Sequence, residues 1–299
     1  MQEESLYEEL VVNWDYGIIG KDTDFIFTEG DLAWLPKLFK QDDEIYEYNQ
    51  AKQSWSVMSC TIFNPVWAVS DLMNYKFPLE QIKEIDALSY EKGRKQWDWW
   101  RTDLAVDLVR NWWNSNKELV KKYGKIASYR LALRDDALIA DVLSYNYTIC
   151  WSYQWNSQFN NDRNDWVLDN YEFWKSTYWH SVWMRNKNNK KCVKDNYAWR
   201  TYNWIPTNIF EVRPERSQLV TAGTFRPNCY LFTKVAEDNY DELIRLEKVK
   251  VKCHNALKAN SELWENTNDK ELKDRLHKAN ERIRNNNLKY IEEHLISLR

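Results

Sequence analysis

The stretch Ser59-Cys60-Thr61-Ile62-Phe63-Asn64-Pro65-Val66-Trp67-Ala68-Val69-Ser70-Asp71-Leu72-Met73 decides how this chain is read. Ile62, Val66, Val69 and Met73 recur at intervals of three and four, the period of one helix face. With Ser59-Cys60 at its start, the spacing predicts a helix over residues 61–75 and puts Cys60 at or beside the N-terminus. A helix start stabilises a thiolate, so Cys60 is a candidate nucleophile. Free cysteine is also among the most buried residue types, which makes plain core packing the competing reading.

Upstream, residues 1–50 alternate short apolar pieces (Tyr16-Gly-Ile-Ile19, Phe25-Ile-Phe27) with acidic turns and read as an extended lead-in. Downstream, residues 79–123 continue helical as two helices broken near Gly93, with Trp97, Leu104, Leu108, Trp112 and Leu119 on one broad face. From about residue 136 to 235 the texture turns β-branched and aromatic. Ile149–Tyr153, His180–Met184, Lys191–Lys194, Asn208–Val212 and Tyr230–Thr233 read as antiparallel strands joined by Asn-rich turns. A helical half followed by a sheet half is the pattern of an α+β protein.

From Ala236 onward the chain reads as a helical hairpin. Leu243, Leu246, Val249, Cys253 and Leu257 form one stripe, and Leu272, Leu276, Ala279 and Ile283 another, with Asn268 and Glu271 spaced as a capping box. Residues 236–299 hold 13 Lys/Arg and 13 Asp/Glu, which reads as a salt-bridged, solvent-facing appendage.

The 299 residues carry 42 Lys+Arg against 45 Asp+Glu, a net charge of −3, so no positive field gathers phosphates and nucleic acid is not expected. Six glycines and six prolines exclude collagen-like and linker-rich classes, and the glycines spell neither a dinucleotide fingerprint nor a P-loop. Cys60, Cys150, Cys192, Cys229 and Cys253 form no C-x-x-C pair, so free thiols in a reducing compartment are expected. The acidic start lacks a signal peptide's basic and apolar regions, and no apolar run is long enough to span a bilayer, so no membrane association is expected.

Of four histidines, His254, His277 and His294 fall in the charged C-terminal helices, leaving His180 in the globular body among Tyr178, Trp179 and Val182. One histidine with scattered cysteines has no metal-ligand spacing, so no metal is expected. An imidazole that serves a thiol is the better use of His180.

Gln53-Ser-Trp-Ser-Val-Met-Ser-Cys60-Thr-Ile-Phe63, then His180-Ser-Val-Trp-Met184, then Cys192-Val-Lys-Asp195-Asn-Tyr197 resembles, in order, the three signature blocks of the papain-like (C1-like) cysteine peptidases. Asp15-Tyr-Gly17, Leu35-Pro-Lys37 and Glu47-Tyr-Asn-Gln50 add a likeness to members encoded in bacteriophage and uncultured-microbe genomes. The 120 residues between Cys60 and His180 lie slightly below the separation of roughly 130–150 usual for papain. The resemblance covers roughly residues 10–235. It implies a papain-like two-lobed fold, with a helical lobe at 51–135 and a β-rich lobe at 136–235, after the lead-in of 1–50 and before the hairpin of 236–299.

The resemblance further implies that Cys60 is the nucleophile and His180 the base. Asp195 stands where the family has its orienting Asn, with Asn196 the alternative one residue on. The family's oxyanion-hole glutamine lies six residues before its cysteine; Gln53 lies seven before Cys60 and Gln50 ten, so both remain candidates. The implied activity is hydrolysis of peptide or isopeptide bonds in a polypeptide substrate through a thioester, without a cofactor, in the host cytoplasm or a virion if phage-encoded. The alternative is a catalytically degenerate papain-like scaffold, a structural or interaction protein of a phage virion that meets its partner through residues 236–299. The 18 tryptophans could form a stacking platform for sugars or bases, but at helical spacing they read first as core or interface.

Overall fold

The computed structural model describes residues 25–27, 29–38, 59–95, 100–131, 136–156, 176–187, 190–194, 205–206 and 228–298. They form an α+β protein around one seven-stranded sheet. The strands are β1 (Ile26–Phe27), β2 (Lys125–Leu131), β3 (Ile149–Asn156), β4 (Ser176–Lys187), β5 (Lys190–Lys194), β6 (Ile205–Pro206) and β7 (Asn228–Val235). They lie in the order β1-β2-β7-β3-β4-β5-β6. Only β1 runs parallel to its neighbour, with Ile26 beside Arg130; every other pairing is antiparallel.

Helix α1 (Cys60–Met73) is buried at all of its positions and packs across β4, β7 and β3. A helix apolar almost all round has no face to give to water, which is why this segment becomes the centre of the core. Asn74 ends it in the left-handed conformation (φ 49°, ψ 47°), with its N–H donating to the Ser70 carbonyl; asparagine tolerates that geometry. Helices α2 (Leu79–Glu91), α3 (Thr102–Ser115) and α4 (Lys117–Tyr123) follow. Gly124 stops α4 at φ +88° and starts β2; a Cβ there would sit 3.3 Å from the Val235 carbonyl of the paired strand, so glycine serves both the turn and the close approach.

Strands predicted at 149–153, 180–184, 191–194 and 230–233 lie within β3, β4, β5 and β7, and the one predicted at 208–212 lies outside the described residues. Two elements cross the divide drawn at residue 135. β2 belongs to the segment expected to be helical, and α5 (Asp136–Ser144) to the one expected to be β-rich. Because β2 pairs with β7 along its length, the sheet is continuous across that boundary. The described part of the lead-in is core as well: Phe25, Phe27 and Leu35 are buried, and a 3₁₀ segment at Glu29–Trp34 carries the buried Asp31.

The C-terminal residues form a helical hairpin. Its first arm is α6 (Tyr240–Asn266); its second is α7 (Lys270–Arg282), continued by a π-helical stretch at Ile283–Leu288 into α8 (Lys289–Leu298). The cap of α7 falls one residue later than expected: Asp269, not Asn268, accepts from the Glu271 and Leu272 amides at 2.9 and 3.2 Å. At the other end Asn239 Nδ2 donates to the Leu298 carbonyl at 2.8 Å, tying the close of the hairpin to its opening.

The hairpin is no solvent-facing appendage. Most of its charges occupy the outer face, but Glu247 and Lys250 are buried, and Leu243, Leu246 and Cys253 belong to the same core as the sheet. Lys250 Nζ, 3 % exposed, reaches both carboxylate oxygens of Asp31 at 3.0 and 3.2 Å. Balanced charge in a sequence reports the outward face of a helix and is silent about the inward one.

Candidate active site

Cys60 opens α1 and is fully buried, at 0 % exposure. The residue before it, Ser59, occupies the N-cap position, and its carbonyl accepts from the Ile62 and Phe63 amides at 2.8 and 3.0 Å. Its hydroxyl makes no bond to the first turn and instead accepts from Arg94 Nη2 at 2.9 Å. Two polar atoms in the first turns, Thr61 Oγ1 and Asn64 Oδ1, are buried with no hydrogen-bond partner among the described residues. Buried polar atoms left over in this way are uncommon and mark positions where packing alone has not set the chemistry.

Four contacts lock α1 to β4. Asn64 Nδ2 donates to Ser181 Oγ at 2.5 Å while Trp183 Nε1 donates to the Asn64 carbonyl at 2.9 Å. Trp67 meets Trp183 edge to face. Asp71 accepts from Thr148 Oγ1 and lies 3.5 Å from Arg185 Nη1. The pairs 64/181, 67/183 and 71/185 ascend together, so helix and strand run in the same direction. Positions 181, 183 and 185 face α1, as a two-residue strand period requires; Val182 and Met184 between them are buried too, so β4 is covered on both sides.

The register sets the level of the two candidate residues. Cys60 lies about 6 Å before Asn64 along the helix, at about 1.5 Å per residue. The His180 backbone, paired with Tyr153 of β3, lies about 3.3 Å before Ser181 along the strand. Both therefore fall at the same level, but the alternation that turns 181, 183 and 185 toward α1 puts position 180 on the face of β4 away from it. Asp195, Asn196, Gln50 and Gln53 lie outside the described residues.

The other thiols have different surroundings. Burial, and after it the neighbouring Cys229, pushes the Cys150 thiol well above its ordinary value. Burial alone pushes Cys253 up to about 11. Cys192 and Cys229 are likewise buried in strands. His254, held below its ordinary value by burial and then by Lys250, and the exposed His277 and His294 all stand on the hairpin. Among the described residues no three metal-binding side chains cluster, and no helix is long and apolar enough to cross a membrane. Trp67, Trp113, Trp151 and Trp183 are fully buried core, while Trp264 near the hairpin turn is exposed.

Sequence reasoning passed over Asn64, Asp71 and Arg94, and used Ser59 only to mark the start of the helix. A signal existed for two of them: Asn64 and Asp71 are polar, seven apart, on one side of an otherwise apolar helix, a spacing that calls for partners across an interface.

Fold and site together define an α+β protein in which a cysteine-headed central helix lies on an antiparallel sheet beside a histidine-bearing strand. Comparison of the chain with protein-family models, curated proteins and solved structures finds no match.

Proposed function

We propose that the chain is a papain-like cysteine peptidase that hydrolyses peptide or isopeptide bonds. The Cys60 sulfur attacks the scissile carbonyl carbon as its proton passes to His180; the carbonyl oxygen takes up the negative charge, held by the Cys60 amide and the side chain of Gln53 or Gln50. Collapse breaks the carbon–nitrogen bond, the imidazolium returns its proton to the leaving amine, and water then hydrolyses the thioester with His180 as base. Asp195, or Asn196 next to it, orients the imidazole. What supports this reading is Cys60 at the start of α1, set at the level of position 180 along β4 by the Asn64–Ser181 hydrogen bond.

Two observations favour a second reading, that of a scaffold without activity: the complete burial of Cys60, since a nucleophile must meet its substrate, and the alternation that sets position 180 on the face of β4 away from α1. The peptidase reading requires the packing over Cys60 to open and the start of β4 to turn toward it. A small alkylating reagent followed by peptide mass mapping decides between them. The peptidase reading expects Cys60 to be labelled far faster than Cys150, Cys192, Cys229 or Cys253, with His180→Ala abolishing that preference. Equal labelling of all five thiols overturns it.

A further inference from the structure

A guanidinium is buried at the wrong end of a helix. Arg94, 4 % exposed, reaches the start of α1, where the helix macrodipole presents its positive pole and a cation is disfavoured. The chain takes trouble to put it there. After α2, Gly93 turns at φ +96°, and the Arg94 amide then bonds back to the Ser89 carbonyl at 3.0 Å. Arg94 Nη1 donates to Asp86 Oδ1 at 2.6 Å and to Ser89 Oγ at 3.2 Å, Nη2 donates to Ser59 Oγ, and the guanidinium stacks on the Tyr90 ring at 4.7 Å. Asp86, Ser89 and Ser59 are all at most 3 % exposed.

The arrangement displaces the ordinary solution. A serine at a helix N-cap normally turns its hydroxyl onto the first-turn amides. Here that hydroxyl is spent on Arg94, and the next side chain but one, Thr61, keeps a buried oxygen with no partner among the described residues. Asn116 and Asp269 cap their helices through the side chain, whereas Ser59, a residue type suited to that task, gives its hydroxyl to a guanidinium instead.

We propose that Arg94 is a positioning residue for the reaction assigned above: through Ser59 it fixes the backbone of Cys60, and with it the direction of the sulfur and of the Cys60 amide. The inference rests on the peptidase reading. Asp86 balances the charge, so the clamp acts through the planar fork of donors rather than through a bare cation. A lysine, with a single ammonium point, cannot span Asp86 and Ser59 in the same way.

The test measures iodoacetamide labelling of each cysteine in the full chain for the parent, Ser59→Ala, Ser59→Thr, Arg94→Lys and the double variant Ser59→Ala/Arg94→Lys. Loss of one charged hydrogen bond corresponds to roughly tenfold in rate, so Ser59→Ala and Arg94→Lys are each expected to slow Cys60 by about that factor. Ser59→Thr, which keeps the hydroxyl, restores the parent rate, and the double variant is no slower than either single one. If the clamp were mere packing, loosening it would expose the buried thiol and speed labelling. An unchanged or faster Cys60 in Ser59→Ala, in a protein whose parent labels Cys60 selectively, overturns the inference and leaves the peptidase reading standing. A parent in which Cys60 has no preference overturns that reading first. Should Arg94→Lys fail to fold, the Ser59 pair decides alone.

Discussion

Replacing Lys250 by methionine removes the cation from the Asp31 carboxylate while keeping most of the side-chain volume. Both partners are almost fully enclosed, with side-chain exposures of 4 % and 6 %, so water cannot take over the role of the ammonium. Breaking a buried pair from one side costs about 3–5 kcal/mol, because the surviving charge stays buried. At a urea slope towards the upper end of about 1–3 kcal/mol per molar, that lowers the unfolding midpoint by roughly 1–2 M. Asp31→Leu combined with Lys250→Met removes both charges and recovers most of the loss. The exposed pair Lys278–Asp274 is the control, and Lys278→Met leaves the midpoint where it was. Urea titrations followed by tryptophan fluorescence supply all four midpoints. A Lys250→Met midpoint equal to the parent's, or a double variant as weak as the single, refutes the claim that this pair fastens the hairpin to the N-terminal segment.

Deleting residues 240–298 uncovers core side chains at Leu243, Leu246 and Cys253's neighbours, so the shortened chain loses its cooperative melt; a truncated protein that melts like the parent contradicts the single core. Trp183→Phe removes the indole N–H that serves the Asn64 carbonyl and lowers stability by about 1–3 kcal/mol, read from chemical denaturation; no change shows that water replaces the bond. His254 is held below its ordinary value of 6.5, first by burial and then by Lys250, with Glu292 and Asp31 opposing. The unfolded chain therefore takes up this proton before the folded one does. Stability falls as pH drops from 6.5 toward the lowered folded value, and below that value the loss is complete. His254→Gln flattens this part of a melting-temperature profile, and an identical slope in parent and variant removes His254 as its source.

Much of the architecture was legible because it is written in local periods. The three- and four-residue recurrence from Ile62 to Met73 predicted a helix over 61–75 with Cys60 at or beside its start, which the structure has as Cys60–Met73, and the aromatic and β-branched runs gave the positions of β3, β4, β5 and β7. β2 escaped for a physical reason. Ile126, Ala127, Ser128 and Tyr129 are consecutive and all buried, and a strand covered on both faces shows no alternation to read. α5 escaped because nine residues give only about two and a half helical turns of pattern. At the candidate site, the cysteine at a helix start and the histidine in a strand could be read from residue type and order. The partners that hold them could not. Arg94 lies 35 positions from Ser59, and Ser181 lies 117 from Asn64; no local pattern carries separations of that length.

The place of β7 in the sheet has a consequence for how the molecule comes to exist. It is the last of the described strands to leave the ribosome, yet it sits between β2 and β3 and is the seam that joins them. Until Asn228–Val235 emerges, the nascent polypeptide holds two unjoined ribbons with apolar borders open to chance pairing. Translation must run almost to the hairpin before the sheet can close, so slow elongation gives this protein no head start and leaves its half-made borders in need of shelter.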